Sequence, residues 1–222
     1  MNKRLFAIGD IHGCYDPLHR LIEGELKIRQ SDRIIFLGDY IDRGPMSREV
    51  IDYILDLTGK GFDVIPLIGN HESMLLDSVS NERNLSGWFM NGGYETLYSF
   101  GVESADELEK RYLDFFRNLT YYFCQEQFIF VHAGFNDEIS DPFEDRFQMI
   151  WSRRESYSNP AFDGRIIVHG HTPIPLSACR SLIKAGSSVI NIDTGCVYGE
   201  PGGYGCLTAI EVRTGELYSV KA

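Results

Sequence analysis

The chain has 222 residues, 43% of them apolar, and a formal net charge of −11. That length can bury a full core, and the negative excess repels nucleic-acid backbones and anionic membranes, so neither is an expected partner. Lys3 and Arg4 precede a run, Leu5 to Ile8, far too short to span a bilayer or serve as a signal peptide, which predicts a cytoplasmic protein. The five cysteines (Cys14, Cys124, Cys179, Cys196, Cys206) are odd in number and lack C-x-x-C spacing, which argues against a disulfide framework and a thiolate zinc site. No linker, repeat or charge block divides residues 1–222, so one domain is expected.

In chain order, three apolar runs, Leu5 to Ile8, Arg33 to Leu37 and Asp63 to Ile68, alternate with helical segments beginning near Pro17 and Ser47. This βαβαβ start predicts parallel strands in an α/β protein. Ser47, with Ile51, Ile54 and Leu55 on one face, predicts a capped amphipathic helix ending at Gly59. From about 72 to 118 the apolar spacing turns helical (Trp88, Phe89, Leu97, Leu108, Tyr112, Phe115, Phe116), which predicts a mainly helical insertion. The remainder predicts strands at Tyr121 to Cys124, Phe128 to Val131, Ile166 to Val168, Val189 to Ile192, Cys206 to Val212 and Leu217 to Val220. Arg213 to Glu216 joins the last two as a hairpin.

Five strand exits carry polar groups suited to metal binding: Asp10 and His12, Asp39 and Asp42, Asn70 and His71, His132, and His171. Residues beyond the carboxyl ends of α/β strands converge on one crevice, so separated motifs can form one site. Asp10 and His12, two apart in an extended segment, would share one side of it. Carboxylate, amide and imidazole without thiolate suit manganese, iron or zinc. Taken singly, an Asn or Asp beside glycine is usually a turn residue and a lone His is usually structural. Five of the six histidines, however, fall in these short segments and only His19 in a helix, which turn chemistry does not predict.

Together, GDIHGCYDPL (Gly9 to Leu18), GDYIDRGP (Gly38 to Pro45), GNHE (Gly69 to Glu72), VHAG (Val131 to Gly134) and HGHT (His169 to Thr172) resemble the metal-dependent serine/threonine phosphoprotein phosphatases, above all their compact phage and bacterial branch. WSR (Trp151 to Arg153) and DTGCVYG (Asp193 to Gly199) extend the resemblance over nearly the whole chain. It implies a central β-sandwich of mixed sheets flanked by helices. It implies two divalent ions, the first on Asp10, His12 and Asp39 and the second on Asp39, Asn70, His132 and His171, with Asp39 bridging. His169 falls outside the matched ligand and is expected to support the site. Arg43 and Arg153 would grip phosphate oxygens, with Arg154 as an adjacent competitor. His71 would protonate the leaving group and Asp42 would orient it, the bland alternative being an Asp42–Arg43 ion pair.

The expected activity is hydrolysis of phosphate monoesters on phosphorylated proteins or peptides, small phosphate esters being possible substrates too. Symmetrical diadenosine-tetraphosphate hydrolases share GDxHG, GNH and HGHT but usually lack the acid at position 42 and read GNHD, so Asp42 and Glu72 favour the phosphatase. A catalytically idle phosphoprotein-binding module is the alternative from another class, and the full set of polar residues argues against it.

Overall fold

Strand β1 (Leu5–Ile8) is buried along its whole length, as an unbroken apolar run requires, and it sits at the centre of a five-stranded sheet. The computed structural model describes residues 3–81, 83, 85–199 and 201–222. β1 pairs in parallel with β2 (Arg33–Phe36), and β2 in parallel with β3 (Asp63–Pro66). On its other side β1 pairs antiparallel with β8 (Cys206–Glu211), which forms a hairpin with β9 (Glu216–Lys221). A second sheet runs β4 (Tyr122–Gln125), β5 (Phe128–Val131), β6 (Ile166–His169), β7 (Val189–Asn191), with β4 antiparallel and the rest parallel.

Alternation along the strands builds the layers. Leu5, Ala7, Ile35 and Leu37 face Phe128, Phe130, Val168 and Ile190 between the sheets. Phe6, Ile8, Ile34 and Phe36 point the other way, onto α1 (Tyr15–His19), the π-helical stretch Arg20–Leu26 that continues it, and α2 (Ser47–Gly59). Ile129, Val131 and Ile167 cover the outer face of the second sheet with Phe135, Met149 from α7 (Arg146–Trp151) and Phe162. The result is a mixed α/β sandwich with two mixed sheets flanked by helices.

Between β3 and β4 lie α3 (Asn70–Ser80), α4 (Leu85–Met90), α5 (Gly93–Phe100) and α6 (Lys110–Arg117). Asn70 and His71 therefore stand in the first turn of a helix, where the amide ends of the backbone favour anions. Helix α8 (Leu176–Lys184) precedes β7. The expected cap of α2 is corrected: Ser47 makes no capping hydrogen bond, because its hydroxyl accepts instead from Asp42 N, 3.2 Å away. Among the described residues no helix is long and apolar enough to cross a membrane.

Candidate metal centre and active site

The loops leaving β1 and β2 fold over one another. Ile11 N and His12 N both donate to Asp39 O (3.0 and 2.8 Å), which turns the first loop at His12, φ 47°. The extended geometry expected for Asp10 to His12 from their spacing is thus corrected at His12, and the two side chains make different contacts. His12 goes to Asp39, while Asp10 Oδ2 accepts from His171 N at 3.0 Å. Asp39, itself at φ 51°, presents Oδ2 to His132 Nε2 (3.4 Å), His12 Nε2 (3.5 Å) and His71 Nε2 (3.9 Å). Two groups capable of holding a cation share this carboxylate: His12, Asp39 and His71, and Asp39, His132 and His171. Two glycines make room for the site's carboxylates: a Cβ at Gly69 would lie 2.1 Å from Asp39 Oδ1, and one at Gly170 2.1 Å from Asp10 Oδ1.

The donor chemistry fits metal ions. His132 Nδ1 lies 2.9 Å from Leu37 O and His12 Nδ1 2.9 Å from Ile41 O, so each ring gives its hydrogen to a carbonyl and turns a lone pair inward. His132 Nε2 then faces Asn70 Oδ1 at 3.0 Å, one acceptor against another, and His171 Nδ1 lies 2.9 Å from the same oxygen. Among the described residues, Asp10 Oδ1, His71 Nε2 and His171 Nε2 are buried without a hydrogen-bond partner. The lone pairs crowded at His132 Nε2, Asn70 Oδ1 and Asp10 Oδ1 are relieved by cations. Burial holds His12 and His132 below the ordinary imidazole range and pushes His171 down to about 3. Burial opposes charge on Asp39 as well, but the surrounding imidazoles outweigh it and hold the carboxyl low.

His71 behaves differently. Burial disfavours its charged form, yet Asp39 and the contact to Asp42 outweigh that and raise it. Its Nδ1 lies 2.6 Å from Asp42 Oδ2, with both side chains fully buried. Asp42, at φ 70°, also accepts from Trp88 Nε1 (2.9 Å) and Thr96 Oγ1 (2.5 Å), so the bland Asp42–Arg43 pairing is not the one formed. Arg43 instead places Nη1 2.7 Å from His12 Nε2, with its guanidinium 5.6 Å from the Tyr198 ring centre. Arg153 Nη1 donates to Thr172 Oγ1 (3.1 Å), next to His171, whereas Arg154 pairs with Glu138. His169 turns away, its Nδ1 3.1 Å from Gly170 O, toward a cavity lined by Ile174, Leu182 and Asn191.

Sequence reasoning assigned no role to Glu72, Trp88, Thr96 or Asp193. Glu72 is wholly buried and accepts from Gly69 N (3.0 Å), Asp39 N (3.0 Å), Tyr40 N (2.8 Å) and Ile41 N (3.4 Å). Burial pushes its carboxyl up to about 8, with the Asp39 charge adding to the rise and the backbone bond to Tyr40 opposing it. It therefore lashes the Asp39 loop to the start of α3. Its place three residues after Gly69 is capping-box spacing, a signal that was available. Asp193 follows β7 and accepts from Gly195 N, and burial pushes it up to about 7.

Comparison with known proteins adds three findings. Residues 3–200 match the family model described as calcineurin-like phosphoesterase. Asymmetrical bis(5'-nucleosyl)-tetraphosphatase PrpE of Halalkalibacterium halodurans is 27% identical over 239 aligned positions, covering 96% of this chain and 92% of that one. Serine/threonine-protein phosphatase 2 of Salmonella typhimurium is 28% identical over 155 positions, 68% of each chain. In three dimensions, a crystal structure assigned provisionally as a diadenosine tetraphosphatase gives a TM-score of 0.71 at 19% identity, covering 99% of this chain and 94% of that one.

Proposed function

The chain belongs to the calcineurin-like phosphoesterase family, a group of metal-dependent phosphoester hydrolases, and from that premise we propose that it is a serine/threonine protein phosphatase. The observation that carries this reading is the 2.6 Å contact between His71 Nδ1 and Asp42. A carboxylate only accepts, so Nδ1 donates to it and the ring offers Nε2 to the substrate. A seryl or threonyl oxygen leaves as a strongly basic alkoxide and needs a proton, whereas a nucleotide leaving from a tetraphosphate does not. A buried imidazole backed by a carboxylate is therefore of most use on alkyl phosphates.

Asp10, His12 and Asp39 would hold one ion and Asp39, Asn70, His132 and His171 the other, manganese suiting this oxygen and nitrogen set best. When bound there, two such ions would supply a water that ionises near neutral pH and would offset charge on the phosphoryl oxygens. Arg43 and Arg153 bind the remaining phosphoryl oxygens through planar guanidinium groups. His71 gives a proton from Nε2 to the departing oxygen while Asp42 fixes the ring.

A second reading, asymmetrical hydrolysis of dinucleoside tetraphosphates, is favoured by the PrpE similarity along nearly both full lengths. The two separate in one assay of the manganese-loaded protein on a phosphoserine peptide and on diadenosine tetraphosphate. The phosphatase reading expects the larger kcat/KM on the peptide, and the reverse order sinks it. His71→Asn should lower turnover of the peptide by about 10² to 10⁴ and that of p-nitrophenyl phosphate much less. Equal losses on both would remove His71 as the acid.

A further inference from the structure

We propose that Trp88 and Thr96, on the helical segment between β3 and β4, are positioning residues that hold Asp42 so that His71 Nε2 is aimed at the leaving oxygen. The inference rests on the reading of His71 as the acid. Asp42 is fully buried, and three donors meet its carboxylate: His71 Nδ1 at 2.6 Å and Trp88 Nε1 at 2.9 Å on Oδ2, and Thr96 Oγ1 at 2.5 Å on Oδ1. The Asp42 amide donates back to Thr96 Oγ1 at 2.9 Å. One hydroxyl thus pins both the main chain and the side chain of the same residue, and it does so where the backbone is left-handed. Without either donor a carboxylate lone pair is left unpaired away from water, and the group turns to seek another.

The surroundings are shaped for this indole. A Cβ at Gly93, where α5 begins, would lie 2.6 Å from the Trp88 ring, and Phe89 stacks beside it at 5.7 Å. Among the described residues, helices α4 and α5 supply none of the groups gathered around Asp39; they reach the centre at Asp42 and, through the loop between them, at Arg43, whose N–H donates to Gly92 O at 3.3 Å.

The test uses the manganese-loaded full chain with Thr96→Val, which keeps shape and removes the hydroxyl, Thr96→Ser, which restores it, and Trp88→Phe, which removes only the N–H. Thr96→Val and Trp88→Phe should each lower kcat on a phosphoserine peptide by about tenfold, part of the range for a general acid, with KM nearly constant and a smaller loss on p-nitrophenyl phosphate. Thr96→Ser should recover most of the loss. In a His71→Asn background neither change should cost anything further, because the group they aim is gone. Should Thr96→Val not fold, Trp88→Phe carries the same comparison. Losses equal on both substrates, confined to KM, traceable to lost manganese, or persisting beside His71→Asn overturn the proposal. If His71→Asn itself is indifferent to the leaving group, the acid reading has failed and this inference falls with it; if His71→Asn is selective but the losses add, only the positioning role has failed.

Discussion

The two ends of strands β1, β2 and β3 use charge in opposite ways. At the amino ends, Arg33 and Asp63 are cross-strand partners that form an ion pair at 2.9 Å, Lys3 joins the same carboxylate, and Arg4 pairs with Asp32. At the carboxyl ends, carboxylates, imidazoles and an amide are packed together out of water, and three of their polar atoms have no hydrogen-bond partner among the described residues. Backbone conformation divides the same way. Among the described residues seven non-glycines have positive φ, and His12, Asp39, Asp42, Arg43 and His171 lie at the site, while Lys27 ends a helix and Glu126 turns a hairpin. One end is arranged for stability alone. The other keeps strain and unmet electrostatic demand that the sandwich holds in place.

Exchanging a single carboxylate at each end tests that division. Asp39→Asn should be the most damaging, lowering kcat/KM by roughly 10³ or more, since a shared metal-binding carboxylate accounts for several kcal/mol of transition-state stabilisation. Saturating manganese should raise the melting temperature of the parent protein, about 2.7 kcal/mol at a hundredfold excess over Kd, and raise that of Asp39→Asn far less. An equal manganese shift in both would mean the centre does not run through Asp39. Next in size is Glu72→Gln, which keeps shape but turns an NH2 group toward backbone N–H donors; chemical denaturation should show a loss of about 1–3 kcal/mol. Activity should fall with it, because the Asp39 loop loosens.

Asp63→Asn should be the smallest, about 1 kcal/mol as for other ion pairs near the surface, with kcat unchanged. Burial opposes charge on Asp63, but Arg33 and Lys3 hold its carboxyl below the ordinary range. Its contribution is therefore full above the unfolded value of roughly 3.9 and disappears as pH falls through the lower folded value. The stability difference between parent and variant, followed by urea titration, should be flat from pH 7 to 5 and shrink below 4. A gap that widens in acid would contradict this pairing.

The strands and their exits were legible because alternation and glycine spacing are local signals, and they brought Asp39, Asn70, His71, His132 and His171 to one crevice. What local pattern could not reveal was direction. The Asp10 to His12 segment is not extended, because the backbone turns left-handed at His12 under hydrogen bonds to a loop 27 residues on, at Asp39. Ser47 reads as a helix cap, yet the Asp42 amide takes its hydroxyl. Trp88 reads as one apolar position among many in a helical stretch, and nothing in its spacing says that its N–H meets a carboxylate 46 positions earlier. Buried polar groups choose partners across the fold, so their pairing becomes visible only in three dimensions.

Strand β1 lies between β2, which is made soon after it, and β8, which is made after every residue of the proposed metal set. Gly9 N, next to Asp10, donates to Thr208 O at 3.0 Å. During synthesis, a chain that has reached His171 carries every residue of the proposed metal set but leaves one edge of β1 open, with Gly9 N still waiting for its partner on β8. Closing that edge joins residues separated by almost the whole sequence, a slow kind of contact to form. On the proposed ligand set, the Asp10 end of the cradle would therefore be secured late in folding.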